Sequence, residues 1–139
     1  MKNILLCLVT LLIVTSCAKD KNGPRTLVGT WVRTGEYLIS PSGERVHDSF
    51  AIYEECQKDN LFQFTEDQKY YLKEGSKVCE PGSQEQEDTY ELIEDDTKIK
   101  FGSGAIWTIK SLTSSGLTVT QPTAYWTGYK EAEIIFKRR

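Results

Sequence analysis

The 139-residue chain has one histidine, His47, and four cysteines, no two of which form a CxxC pair. The spacing of a zinc site is therefore missing, and no metal is expected. Catalysis needs a nucleophile with a base, or two carboxylates whose pKa values are held apart in a cleft. Neither Ser40 nor Ser49 lies in a motif that would make it a nucleophile, and His47 falls in a loop rich in charge, where an imidazole is ordinarily a surface group. No enzyme and no cofactor are expected. The chain also lacks a basic face: a formal net charge of −3 with scattered lysines offers nothing for nucleic acid to bind. Its apolar run, Ile4 to Val14 with Cys7 and Thr10 inside it, falls short of the roughly 20 residues that span a membrane. Past Thr26 no segment keeps a helical period. Carboxylates do cluster, at Glu54-Glu55, Glu85-Gln86-Glu87-Asp88 and Glu94-Asp95-Asp96. Each cluster falls in a loop or at a strand end, where solvated charge is the ordinary explanation, and none has the spaced ligands of a calcium loop.

What is present begins with Lys2, the short apolar core and the small residues Thr15 and Ser16, the form of an export signal. Val14-Thr15-Ser16-Cys17 resembles the lipobox of bacterial lipoproteins. That resemblance implies cleavage before Cys17, lipidation of its thiol and acylation of the new N-terminus, and two acyl chains hold a soluble domain at a bilayer where one is marginal. An ordinary secretory signal that happens to contain a cysteine is the alternative. The organisation that follows is a signal at 1–16, a polar tether at 17–25 and one folded domain at 26–139. Removing Lys2 moves the formal charge from −3 to −4. Cys7 leaves with the signal and Cys17 carries lipid, so Cys56 and Cys79 remain. Two cysteines left over in an oxidising compartment usually pair. Closing that loop would stabilise the fold by about 3 kcal/mol in the chain-entropy model. Metal ligation by the same two residues is the other possibility.

The remainder is written in short alternating stretches of β-branched and aromatic residues between turn clusters. Candidate strands cover residues 30–39, 61–65, 69–75, 88–94, 97–102, 105–112, 116–122 and 130–137, about eight in all. The connectors Glu94-Asp95-Asp96, Gly102-Ser103-Gly104, Thr113-Ser114-Ser115-Gly116 and Trp126-Thr127-Gly128 are short enough for hairpins. Phe62 and Phe64, Tyr70 and Leu72, Tyr90 and Leu92, Ile99 and Phe101, Trp107 and Ile109, Leu117 and Val119, and Ala132, Ile134 and Phe136 give each strand a dry face. Lys98, Lys100, Lys110, Glu131 and Glu133 mark the wet one. Consecutive strands of this kind satisfy their edges best by closing into an antiparallel up-and-down barrel.

Pairing Phe64 with Tyr70 and Phe62 with Leu72 fixes one register, and the cysteines are offset from it by one residue. A β-bulge near Gly75 would absorb the offset and set the disulfide across the open end of the hairpin. Residues 40–55 are long for a connection and carry Phe50, Ile52 and Tyr53. They are expected either to form a lid over one barrel mouth, or to supply an extra edge strand or a core plug through Phe50 and Ile52.

Gly29-Thr30-Trp31 near the start of the first strand resembles the G-x-W signature of lipocalins, whose tryptophan closes the base of an eight-stranded barrel. The resemblance implies a late arginine stacked on Trp31, for which Arg138 and Arg139 are the candidates. A Leu-x-Gly-x-Trp strand, then Cys56-Gln57-Lys58-Asp59-Asn60 leading into Phe62 and Phe64, an aromatic return strand and Cys79 together resemble the lipocalin-like lipoproteins of bacterial envelopes. The likeness runs over Leu27 to Phe136. Members often have Asp-Gly where this chain has Glu66-Asp67-Gln68. The family implies a small barrel anchored to an outer membrane, on its periplasmic face or at the cell surface, and no single activity.

Two classes of function then compete. In one, the barrel holds a small hydrophobic ligand, with Phe64, Tyr70, Tyr90, Phe101 and Trp107 in the cavity wall. In the other, large aromatics fill the barrel, and the domain is an accessory module contacting another envelope protein or a surface glycan. The segment Gln121 to Trp126, with Tyr125 and Trp126, is its candidate contact.

Overall fold

The computed structural model describes residues 26–82, 84–123 and 128–139. The export signal, Cys17 and the tether lie outside the described residues, as do Tyr125 and Trp126. Among the described residues, nine strands form one antiparallel sheet: β1 (Gly29–Ile39), β2 (Arg45–Asp48), β3 (Leu61–Phe64), β4 (Lys69–Lys73), β5 (Gln86–Ile93), β6 (Lys98–Phe101), β7 (Ile106–Leu112), β8 (Gly116–Pro122) and β9 (Glu131–Arg138). Neighbours in sequence pair in order from β3 to β9, and β1 pairs with both β3 and β9. Eight strands, all but β2, thereby close into an up-and-down barrel of lipocalin-like architecture, which leaves no open edge in the ring.

Period-two alternation decides what lies inside. Phe62 and Phe64, Ile99 and Phe101, Leu117 and Val119, and Ala132, Ile134 and Phe136 are all buried, while the residues between them face outward. Outside, Lys69 pairs with Glu87 at 2.9 Å and Lys100 with Glu91 at 2.8 Å. Such exposed pairs contribute little to stability and keep the surface wet.

One barrel end is sealed by the chain termini of the domain. The guanidinium of Arg138 lies 4.2 Å from the centre of the Trp31 ring. It also donates to the carbonyls of Ser114, Val28 and Thr26 at 2.7, 2.9 and 2.6 Å. Trp31 Nε1 donates to Leu27 at 2.9 Å. Gly29 has φ of 144°, and a Cβ there would run into the Arg138 side chain, so only glycine fits beneath the arginine.

The β3 and β4 hairpin pairs Phe64 with Tyr70 and Phe62 with Leu72, the register the sequence suggests. Cys56 and Cys79 form a disulfide. No bulge interrupts this ladder: it runs without a shift to Lys73 and ends there. The one-residue offset is taken up beyond the strand, where Asp59 accepts hydrogen bonds from the amides of Ser76 and Lys77 at 2.8 and 3.0 Å. Gly75 is the residue that lets the two segments meet, since a Cβ there would stand 2.6 Å from Asp59 Oδ1. True shifts occur elsewhere, at Thr34 between β1 and β9 and at Lys110 between β7 and β8.

Residues 40–60 hold more structure than a loop. β2 pairs with Tyr37 to Ile39, so the extra edge strand is built from Arg45–Asp48 and not from Phe50 and Ile52. Phe50–Ile52 make a single 3-10 turn with Ile52 68 % exposed, so Ile52 does not plug the core. A one-turn helix, α1 (Glu55–Lys58), follows. A capping box between Glu54 and Gln57 starts it, and it carries Cys56 to the disulfide.

Candidate functional site

Below the mouth, the barrel interior is filled by its own aromatics. Phe64 contacts Tyr70 and Tyr90 with ring centres 5.2 and 5.1 Å apart, Tyr70 and Phe101 are 5.1 Å apart, and Phe101 and Trp107 are 4.8 Å apart. Most of these pairs meet edge to face, a geometry that adds about 0.5–1.5 kcal/mol each beyond the area buried. Phe62 and Phe136 extend the same cluster at 4.9 Å.

The barrel end opposite Trp31 is the open one. The β4 to β5 and β6 to β7 connections rise there, and between them lies a cleft of about 470 Å³. Tyr70, Phe101 and Trp107 form its apolar floor; Gln86, Asp88, Ser103 and Gln121 belong to its rim. Of the five residues expected to wall a cavity, three face this cleft. Phe64 and Tyr90 do not line it: Phe64 is 1 % exposed within the aromatic cluster, and the Tyr90 hydroxyl donates to Thr65 at 2.8 Å. Side chains this large meet across the barrel and leave no room lower down.

The rim is acidic but partly satisfied. Asp88 accepts from the amides of Ser103 at 3.1 Å and Thr89 at 2.7 Å. Hydrogen bonds from Ser103, its hydroxyl foremost, hold the Asp88 carboxyl below the usual carboxylate range. Burial pushes the Tyr70 hydroxyl up, against the opposing pull of the Arg33 charge.

Arg33 belongs to a polar cluster on the β1 side of the barrel that no sequence motif marks. Its Nη1 donates to Glu36 Oε2 at 2.7 Å, the Tyr53 hydroxyl donates to Glu36 Oε1 at 2.9 Å, and the guanidinium lies 4.3 Å from the centre of the Tyr53 ring. Tyr53 is thus the part of the long connection that reaches the barrel. Burial raises its hydroxyl pKa. One signal was available: alternation from Trp31 puts Arg33 on the inner face. His47 is exposed on β2. Glu54 lies beside Cys56 and Cys79, but sulfurs bonded to each other are not metal ligands.

No family model matches the chain, and no curated protein and no solved structure matches it.

Proposed function

We propose that the protein is a non-catalytic envelope lipoprotein, anchored through acyl chains on Cys17, whose lipocalin-like barrel binds a small, mostly apolar and uncharged ligand at its mouth. The cleft over Tyr70, Phe101 and Trp107 carries this reading. Its volume of about 470 Å³ falls in the range of roughly 300–1,000 Å³ that suits small-molecule sites, and an apolar floor with a few polar rim groups is their usual composition. Glu87 and Asp88 at the rim disfavour an anion, while the amides of Gln86 and Gln121 orient a neutral polar end. The ligand sits shallowly, on the filled lower barrel and not within it. The Cys56 to Cys79 disulfide supports an oxidising compartment.

The test is mass spectrometry of the protein taken from its own cells, first native and then denatured. Loss of residues 1–16 with added acyl mass is expected in the denatured spectrum, and a reproducible small-molecule excess in the native one. Ala105→Trp fills the cleft from its exposed rim and should abolish that excess. An intact N-terminus sinks the anchor, and the absence of any excess sinks the ligand. The filled lower barrel favours one other function, an accessory module that contacts an envelope protein or a surface glycan, and a bare native mass would leave that function standing.

A further inference from the structure

Buried tyrosine hydroxyls ordinarily find a partner. Tyr90 donates to Thr65 at 2.8 Å and Tyr53 to Glu36 at 2.9 Å. Tyr70, in the floor of the mouth cleft, is the exception: its hydroxyl meets no acceptor among the described residues. Two carboxylates stand near, and both are turned elsewhere. Asp88, directly across the β4 to β5 ladder from Tyr70, points one oxygen at the Thr89 amide and the other at the Ser103 amide, 2.7 and 3.1 Å away. Glu87 takes Lys69 at 2.9 Å. The Tyr70 hydroxyl does not belong with the polar atoms sealed in the interior without a partner, such as Arg33 Nε and Ser49 Oγ. The residue is 7 % exposed and lines the cleft, so the cleft is where its hydroxyl opens.

A lone donor in an apolar floor chooses among ligands. Burial keeps the Tyr70 hydroxyl a neutral phenol, while the positive charge of Arg33 favours giving its proton away. We propose that the Tyr70 hydroxyl is the specificity-determining group of the mouth cleft, donating to a carbonyl oxygen on the buried side of a neutral, apolar ligand such as a ketone or an ester. The inference rests on the cleft being the ligand site and says what that site selects. A hydrocarbon would press carbon against the hydroxyl and leave it without an acceptor, at the cost of an unmade hydrogen bond. A carboxylate would meet Glu87 and Asp88 at the rim and would lose its water over three aromatic rings. A carbonyl compound avoids both penalties. Its oxygen accepts, it carries no charge, and its apolar frame covers Phe101 and Trp107. The rim amides of Gln86 and Gln121 remain for a polar group at the ligand's outer end.

Two probes of one shape separate the hydrogen bond from apolar fit: 2-acetylnaphthalene, whose oxygen accepts, and 2-isopropenylnaphthalene, in which a carbon replaces that oxygen. Equilibrium dialysis against the disulfide-intact protein measures the affinity of each, with Ala105→Trp as the blank for uptake outside the cleft. The ratio of the two affinities, ketone over hydrocarbon, should fall roughly three- to tenfold from the parent to Tyr70→Phe, the fold-change that one net hydrogen bond makes. Comparing ratios cancels the different cost of taking the two probes out of water, and a variant that is merely loosened weakens both alike. Tyr90→Phe removes a buried hydroxyl that does not line the cleft and should keep the parent's ratio. The same ratio in parent and Tyr70→Phe, with Ala105→Trp still blocking both probes, would overturn this inference and leave the mouth site standing. Uptake of neither probe above the Ala105→Trp level would sink the mouth site, and this inference with it.

Discussion

Arg33 and Glu36 meet at 2.7 Å inside the barrel, although residues three apart on a regular strand point to opposite faces. The bulge at Thr34 reverses the phase: Arg33 lies across from Phe136 and Glu36 across from Ile134, both inward positions of β9. The side chains are 15 % and 11 % exposed, so neither charge has much water to fall back on. Removing one partner of such a pair leaves the other stranded, at a cost of about 3–5 kcal/mol, whereas replacing both by apolar groups is often close to neutral. Glu36→Leu is therefore expected to lower stability by about 3 kcal/mol, and Arg33→Met in the same chain to restore most of it. Urea unfolding of the two singles and the double measures this. A double whose loss equals the sum of the singles would mean the pair is not coupled.

The closed end makes a second pair of predictions. Lysine cannot reproduce the planar fork of Arg138, which stacks on Trp31 and donates to three carbonyls. Arg138→Lys should cost about 2 kcal/mol or more. Gly29→Ala meets both the positive φ and the arginine above it, and should cost roughly 1–3 kcal/mol. Because both changes act on one contact, their combined effect should fall short of the sum. Thermal unfolding of the three variants decides it, and strict additivity would contradict the contact.

Much of the barrel was legible because each strand carries its own inside and outside. The pattern Phe62, Phe64, Tyr70, Leu72 fixes both faces and register without reference to anything distant, and Gly29-Thr30-Trp31 marks the closed end. What was not legible depends on partners remote in sequence. Nothing local says that Thr34 must bulge, since the bulge is set by how β1 meets β9, some hundred residues on. The cleft rim brings Ser103 against Asp88 only after β5 and β6 have paired. Asp59 meets the amides of Ser76 and Lys77 only because Gly75 lets the two segments approach, a contact that no local run of residues announces.

The turn at the foot of β3 and β4 holds a residue that is not the best one for its backbone. Gln68 sits at φ of 61°, in the left-handed region, where a side chain costs about 1–2 kcal/mol and glycine nothing comparable. Glycine loses more entropy on folding, by roughly 0.5–1 kcal/mol. Gln68→Gly should therefore raise stability by about 0.5 kcal/mol, seen as a higher urea midpoint at unchanged slope. A lowered midpoint would show that the Gln68 side chain contributes more than the strain it carries.

Alkaline pH should unfold the protein through its buried tyrosines. Burial raises the hydroxyl pKa of Tyr70, Tyr90 and Tyr53 above the ordinary 10. Two of them also donate, Tyr90 to Thr65 and Tyr53 to Glu36, and only the neutral phenol can do so. In the unfolded chain all three ionise near pH 10. The folded state then holds more protons than the unfolded one, so stability falls as pH rises. The contribution is fully present below about pH 10 and is lost as pH climbs through the raised folded values. Tm measured from pH 9 upward should stay level to about pH 10 and then drop, with phenolate absorbance from these residues appearing together with unfolding. About 0.5 M salt screens the exposed Lys and Glu pairs that titrate nearby. Tyr70→Phe keeps the ring in the cleft floor and removes one ionisable group, so its alkaline drop should be shallower. Full tyrosine ionisation at the ordinary midpoint in a chain that remains folded would contradict the burial of all three hydroxyls.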